Sequence, residues 1–185
     1  MGAVFAPIFL YGGRSMNQKI RNLTQSALIA TIYVVLTYLQ DILLHNTTSL
    51  AIQFRASEAL CVLAFFSPNA IWGLTVGCLL YNITVAGMLP LDIVIGSFAT
   101  FLATGGMYLT RNVKIFGYPF LGMLLPAIAN GLLIGWELTF FYLDNTLPFW
   151  LNATYVAIGE AAVLLTLGTV LYYVFLRRNL HMRIF

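Results

Sequence analysis

Long apolar runs, separated by short polar or turn-forming segments, make up most of this chain. Of its 185 residues, 61% are hydrophobic and 8% are charged, whereas a soluble domain is about 45–50% apolar. About 20 apolar residues in helical form cross a bilayer core, because a helix bonds its backbone polar groups within its own segment. The runs show no alternation with a period of two, which favours helices over a β-barrel. The sequence therefore predicts an all-α, polytopic integral membrane protein.

The polar breaks divide residues 16–185 into six predicted helices, which form a single domain with a six-transmembrane-helix bundle. Ser57 is a suitable N-cap for a short second helix, Pro68 ends that helix, and Pro126 is a predicted kink. The predicted helices cover residues 22–43, 57–66, 70–86, 91–109, 119–143 and 149–176. Residues 1–15 lack a basic n-region, so we expect them to be a leader, a tag or a mis-called start rather than a signal peptide.

The basic residues predict the orientation, because they accumulate in short loops on the cytoplasmic side of a membrane. With both termini in the cytoplasm of a bacterial cell, eight of the nine Lys and Arg residues fall on the inner face of the plasma membrane. These eight are Arg14, Lys19, Arg21, Arg111, Lys114, Arg177, Arg178 and Arg183. The exception is Arg55, which this topology places at the outer mouth of the second helix.

The six carboxylates follow the opposite distribution, on the outer side or in the outer half of a span. They are Asp41, Glu58, Asp92, Glu137, Asp144 and Glu160. A charge at membrane depth costs about 2.5 kcal/mol or more, so such groups usually face a cavity, a partner or a substrate. Glu160 is the deepest acid. Glu137 lies seven residues after Asn130, which predicts that both face the same neighbouring helix. The distribution indicates an outward-facing, acidic, partly buried pocket.

Several of these polar residues also have ordinary structural explanations. Arg55 and Glu58, at positions i and i+3, are as compatible with a mutual ion pair as with ligand contact. Asp92 in the first turn of a helix is a common partner for the helix dipole. Asn82 and Asn130 are suited to hydrogen bonds between helices in a membrane.

The pocket chemistry suits a ligand that carries hydrogen-bond donors and a positive charge. A carboxylate accepts two parallel N–H bonds from an amidine-like edge such as that of guanine, and a second carboxylate neutralises an ammonium group. Tyr81 or Trp136 could stack on the ring, although Trp136 is equally suited to packing or to the aromatic belt.

Other function classes lack their sequence motifs in this chain. It contains no GxxxxGK[ST], HExxH, GxSxG or C-x-x-C, and His45 and His181 have no metal-ligand spacing. We therefore expect no metal, no cofactor, no nucleic-acid partner and no catalysis. The remaining enzymatic alternative is an intramembrane enzyme that uses Glu137 and Glu160 as acid and base. A small structural membrane protein is a further alternative.

Four segments together resemble one family of transporters. They are TQSALIATIYVVLT (24–37), IQFRASEALCVLAFF (52–66), GLTVGCLLYNI (73–83) and LDIVIGSFAT (91–100). They resemble the queuosine-precursor transporters (QueT family) of the energy-coupling-factor (ECF) class, specifically their substrate-binding S-component. The resemblance implies a six-helix subunit that captures 7-aminomethyl-7-deazaguanine outside the cell. A transmembrane coupling subunit and two cytoplasmic ATPases would then drive its import. An S-component for another vitamin or nucleobase remains the main alternative.

The resemblance also implies roles for particular residues. Gln53, Arg55 and Glu58 would form the pocket rim, with the first loop, residues 44–54, as a lid. The complete set of candidate substrate-binding residues is Gln53, Arg55, Glu58, Asn82, Asp92, Asn130, Trp136, Glu137 and Glu160.

Family S-components dock on the coupling subunit through an Ala-x-x-x-Ala motif on the first helix. This chain instead has two small-residue pairs that allow close approach, Ser26 with Ala30 and Ala27 with Thr31.

Overall fold

The computed structural model of the protein describes residues 17–44, 54–84, 90–142, 145–180 and 184–185. Within these ranges the structure is helical, apart from one isolated bridge between Ile115 and Tyr118. The helices are α1 (Gln18–Leu43), a 3₁₀ helix (Ala56–Phe65), α2 (Asn69–Thr84), α3 (Pro90–Leu109), α4 (Phe120–Phe140), α5 (Phe149–Val163), a π-helical turn (Leu164–Gly168) and α6 (Thr169–Arg177). Since α5, the π turn and α6 are continuous, six helical segments lie where the sequence predicts helices.

Four of these segments are long and apolar enough to cross a membrane. They are Gln18–Leu43, Pro90–Leu109, Phe120–Phe140 and Phe149–Arg177. The 16 residues of α2 rise about 24 Å, and the 10 residues of the 3₁₀ helix rise about 20 Å, less than the ~30 Å of a hydrocarbon core. The described residues thus contain four helices of spanning length and two shorter ones, and that all six cross the membrane stays a prediction.

The 3₁₀ helix lies in the centre of the bundle, in contact with α1, α2, α3, α5 and α6. Cys61, Val62 and Ala64 have no solvent exposure. Three residues per turn stack Glu58 above Cys61, whose thiol donates to Glu58 Oε2 over 3.1 Å. This central position turns the two polar residues at its start, Arg55 and Glu58, towards the interior of the bundle.

Ser57 is not the N-cap of this helix, so that prediction is wrong. The cap position belongs to Arg55, whose side chain makes no capping hydrogen bond, and Gln40 Oε1 of α1 accepts instead from the backbone N–H of Ala56 over 2.7 Å. Ser57 is fully buried inside the first turn, where its Oγ accepts a hydrogen bond from Thr37 Oγ1 of α1 over 2.7 Å. A serine hydroxyl can form a hydrogen bond either with the backbone at the start of its own helix or with a side chain of a neighbouring helix. The packing of α1 against the 3₁₀ helix decides which of the two forms here.

Small residues bring the neighbouring helices into close contact. A Cβ atom at Gly73 of α2 would lie 2.7 Å from the Ser26 backbone oxygen of α1. At Gly135 of α4, a Cβ atom would lie 2.6 Å from Cα of Ala153 in α5. Van der Waals packing through small residues is a main source of helix association in membranes, because lipid supplies no hydrophobic force between helices.

Replacing Gly135 with Ala is therefore expected to destabilise the α4–α5 pair by about 1–3 kcal/mol, since the neighbouring backbone has to move. Gly105→Ala is the matched control, because a Cβ atom there meets nothing within 4 Å. Thermal unfolding in detergent should show a lower midpoint for Gly135→Ala and an equal or higher one for Gly105→Ala. Equal midpoints for the two variants would contradict the close approach of the helices.

The two ends of the bundle carry opposite charge. The described basic residues other than Arg55 lie at the start of α1, between α3 and α4, and at the end of α6; they are Lys19, Arg21, Arg111, Lys114, Arg177 and Arg178. Two hydrogen bonds tie α1 to its neighbours near this end: Ser26 Oγ donates to the backbone oxygen of Asn69 at the start of α2, and Gln25 Nε2 donates to the backbone oxygen of Ile184. We call this the basic end. The opposite end, where α3 starts and α4 ends, contains Asp92 and Glu137 and is the acidic end.

Candidate ligand-binding site

Four chain segments meet at the acidic end and enclose a small polar cavity of about 30 Å³. The start of the 3₁₀ helix, the end of α2, the start of α3 and the end of α4 each contribute side chains. The lining consists of Arg55, Asn82, Asp92, Gly96, Ile134, Glu137, Leu138 and Tyr142. Four predicted ligand contacts, Arg55, Asn82, Asp92 and Glu137, are thus together in one place. We call this space the polar cavity.

Asp92 and Glu137 form the acidic side of the polar cavity. Asp92 is in the first turn of α3 and Glu137 in the last turn of α4, and their exposed fractions are only 7% and 2%. The two side chains lie within hydrogen-bonding reach of each other. Glu137 Oε1 is buried without a hydrogen-bond partner. Two buried carboxylates in contact favour a nearby cation or a shared proton, because ionising both in a low dielectric is costly.

Tyr142 is a member of this site that sequence reasoning missed. Its hydroxyl donates to Asp92 Oδ2 over 2.6 Å. Burial, reinforced by this hydrogen bond, raises the pKa of the Tyr142 phenol above its ordinary value, so the group stays protonated and acts as a donor. Tyr142 lies beyond the end of α4, where the helical periodicity that relates Asn130 to Glu137 no longer applies. No sequence signal connects it to Asp92.

Asn82 of α2 faces α3, and only one of its two polar side-chain atoms has a hydrogen-bond partner. Its Nδ2 donates to the Asp92 backbone oxygen over 3.2 Å, and its Oδ1 is buried without a partner. A Cβ atom at Gly96 would lie only 2.8 Å from Asn82 Nδ2, so glycine at this position leaves room for the amide. Asn82 therefore both bridges two helices and presents a spare acceptor at the polar cavity.

Arg55 is surrounded by aromatic and acidic groups. Its guanidinium carbon lies 5.7 Å from the centre of the Tyr81 ring, within the range of a cation–π interaction. The Tyr81 hydroxyl in turn donates to Asp41 Oδ2. Arg55 also interacts electrostatically with Glu137 and Glu160. The one basic residue that breaks the charge pattern of the sequence is thus the cation at the acidic end.

Glu58 and Glu160 lie deeper in the bundle than the polar cavity. Glu58 accepts from the Tyr33 hydroxyl over 2.5 Å and from the Cys61 thiol. Glu160 Oε1 accepts from Asn130 Nδ2 over 2.6 Å, while its Oε2 is buried without a partner. Glu58 and Glu160 interact electrostatically with each other. We call the hydrogen-bonded residues Asn130 and Glu160 the deep pair.

Asn130 and Glu137 share one face of α4 but do not meet the same neighbour. Asn130 bonds to Glu160 of α5, whereas Glu137 lies against Asp92 of α3. The prediction of a common neighbour is wrong because seven residues rise about 10 Å along a helix. Over that distance, the helix that lies opposite α4 changes.

Trp136 does not line the polar cavity. Trp136 is 43% exposed, and its ring packs against those of Phe140 and Phe141 at centroid distances of 5.9 and 5.2 Å. It therefore lies on an outer face of α4, where a belt tryptophan would lie. Gln53 falls outside the described residues, as does nearly all of the predicted lid, residues 44–54.

The four predicted docking residues lie along the contact between α1 and α2. Ser26 and Ala30 face α2, while Ala27 and Thr31 are exposed. An open, largely apolar groove of about 390 Å³ runs along this surface and is lined in part by Ser26, Ala27 and Ala30. Thr31 does not line the groove, and its hydroxyl donates to the Ala27 backbone oxygen of its own helix.

Comparison with known proteins gives one family match. The family model described as QueT transporter matches residues 23–177, which include nearly all of the helices. No curated protein and no solved structure matches the chain.

Proposed function

Because the chain belongs to the QueT transporter family, we propose that it is the substrate-binding S-component of an ECF-type importer. In this proposal it captures the queuosine precursor 7-aminomethyl-7-deazaguanine from outside the cell. Transport is then driven by a coupling subunit and two cytoplasmic ATPases, and the chain itself catalyses no reaction. The observation that carries the proposal is the buried acidic site at one end of the bundle.

The polar groups of this site complement such a ligand. Glu137 Oε1, Asn82 Oδ1 and Glu160 Oε2 are all buried acceptors without a partner among the described residues. A buried polar atom without a hydrogen bond costs free energy, so these atoms favour a ligand that brings donors. The deazaguanine has N–H donors along its ring edge and three more on its ammonium group. A neutral, donor-poor vitamin would leave most of these acceptors unsatisfied.

The charge asymmetry of the bundle supports an outward-facing site. In this proposal the basic end lies on the cytoplasmic side, as the distribution of Lys and Arg favours, and the acidic end with its cavity faces the outside of the plasma membrane. Both termini then lie in the cytoplasm, on the same side of the membrane as the ATPases.

A ligand screen on the purified chain tests the proposal. We expect 7-aminomethyl-7-deazaguanine to raise the unfolding midpoint in a concentration-dependent way, because a ligand that binds only the native state stabilises it. Guanine, riboflavin and thiamine at the same concentrations serve as controls. Stabilisation by only one of these controls would favour the alternative of an S-component with different cargo. Stabilisation by none of the four ligands would contradict the proposed cargo altogether.

The groove along α1 and α2 supports the proposed docking surface, since its small side chains allow another helix to approach closely. Ala27→Leu is expected to fill part of the groove and to prevent co-purification of the chain with its coupling subunit, with ligand binding unchanged. Leu28→Phe adds the same number of carbon atoms at an exposed position outside the groove and should leave co-purification intact. Equal recovery of the complex for both variants would contradict the assignment.

A further inference from the structure

The polar cavity is too small for the ring of any nucleobase. Its volume is about 30 Å³, whereas pockets for drug-sized ligands are usually about 300–1,000 Å³. A compact group such as an ammonium fits this space, whereas a bicyclic ring does not. Whatever ligand reaches the cavity therefore extends a small polar group into it.

The acceptors around the cavity match an ammonium in number. Glu137 Oε1 and Asn82 Oδ1 are each more than nine-tenths buried and have no hydrogen-bond partner. The Asp92 carboxylate, which accepts from Tyr142, is the third acceptor of the lining. An ammonium group has three N–H donors and no acceptor. A hydroxyl or an amide would bring fewer donors and would present an acceptor to the two carboxylates.

The charges of the lining also favour a positively charged ligand group. When both are ionised, Asp92 and Glu137 contribute two negative charges to the lining, and Arg55 supplies one positive charge. One further positive charge brings the ionised lining to neutrality. A neutral ligand group would leave an excess negative charge in a mostly buried site, where it is costly.

We propose that Asp92 and Glu137, with Asn82 between them, form a dedicated ammonium subsite, and that the ring of the ligand binds outside this cavity. This assignment rests on the proposed function for the identity of the whole ligand. Asn130 and Glu160 do not line this cavity, so a change at Glu160 is not specific for the ammonium group.

Two ligands that share the ring and differ in the side arm test this division. One is 7-aminomethyl-7-deazaguanine and the other is 7-methyl-7-deazaguanine, which lacks the ammonium. Binding of both to the full chain in lipid nanodiscs is measured by isothermal titration for the unmodified protein and for the variants Asp92→Asn, Glu137→Gln and Glu160→Gln. The unmodified protein is expected to prefer the aminomethyl compound.

The variants are expected to separate the two subsites. Asp92→Asn and Glu137→Gln should each weaken the aminomethyl compound about tenfold to a hundredfold and change the methyl compound less than threefold. Glu160→Gln should weaken both compounds alike. Equal losses for both compounds in Asp92→Asn and Glu137→Gln, or no loss for either, would overturn the assignment. Binding of neither compound to the unmodified protein would instead refute the proposed cargo. Unfolding midpoints of the ligand-free variants show whether a loss of binding is a loss of folding.

Discussion

Glu160→Gln is expected to weaken ligand binding by about 1.5–3 kcal/mol, the scale of a hydrogen bond to a charged group. Glu160 is 4% exposed and has one carboxylate oxygen bonded to Asn130 and the other without a partner. Glutamine has the same shape but removes the negative charge and replaces one acceptor with a donor. Isothermal titration of the purified chain with 7-aminomethyl-7-deazaguanine measures the change.

The stability of the ligand-free variant distinguishes a binding role from a structural one. A buried carboxylate whose only hydrogen-bond donor is an amide is costly, so its replacement by a neutral group should leave the unfolding midpoint equal or higher. A lower midpoint with unchanged affinity would indicate that Glu160 serves to hold α4 and α5 together. Lower affinity at an undiminished midpoint is the result that we expect.

Arg55→Met is expected to have the largest effect on stability, a loss of about 2 kcal/mol or more in the free energy of unfolding. Arg55 is the only basic side chain among the described residues at the acidic end. Asp92 and Glu137 lie in buried positions there, and Glu160 is buried deeper in the bundle. Removal of the cation leaves their charges uncompensated, and loss of one partner of a fully buried ion pair typically costs about 3–5 kcal/mol. The smaller expected value reflects the partial exposure of Arg55.

A double-variant cycle isolates the electrostatic part of this effect. If Arg55 stabilises the protein by compensating Glu137, then Arg55→Met in combination with Glu137→Gln should lose less stability than the sum of the single variants. Arg55→Lys is the control for charge, because it keeps the cation and gives up the planar stacking on Tyr81. Additive losses in the cycle, measured by thermal unfolding, would show that Arg55 acts through packing alone.

The helical layout could be predicted largely from hydropathy and from residues that break helices. Proline and polar turns mark the helix ends because the bilayer leaves few other places for unpaired backbone groups. The helix starts at Pro90 and Phe149 lie within one residue of those predicted. That the 3₁₀ helix and α2 also cross the membrane stays a prediction, because an apolar segment in the centre of a bundle has the same composition as one that crosses a membrane.

The candidate site could be predicted only in part. Burial of Asn82, Asp92, Asn130, Glu137 and Glu160 follows from their place in apolar helices, and the structure describes all five as buried. Their grouping into a polar cavity and a deep pair did not follow, because the partner of a buried polar group depends on which helix lies opposite at that depth.

The sequence alone determined that this chain is a helical membrane protein, that its charges separate towards two ends, and that Asp92, Glu137 and Glu160 lie in apolar helices. Periodicity, hydropathy and charge counts are properties of the chain itself, so they can be read without coordinates. Only the tertiary structure decided that Tyr142 donates a hydrogen bond to Asp92 and that Trp136 lies outside the cavity. It also decided that Glu137 and Glu160 contact different side chains. The reason is geometric: contacts between helices depend on crossing positions, which are set by close packing of small residues such as Gly73 and Gly135.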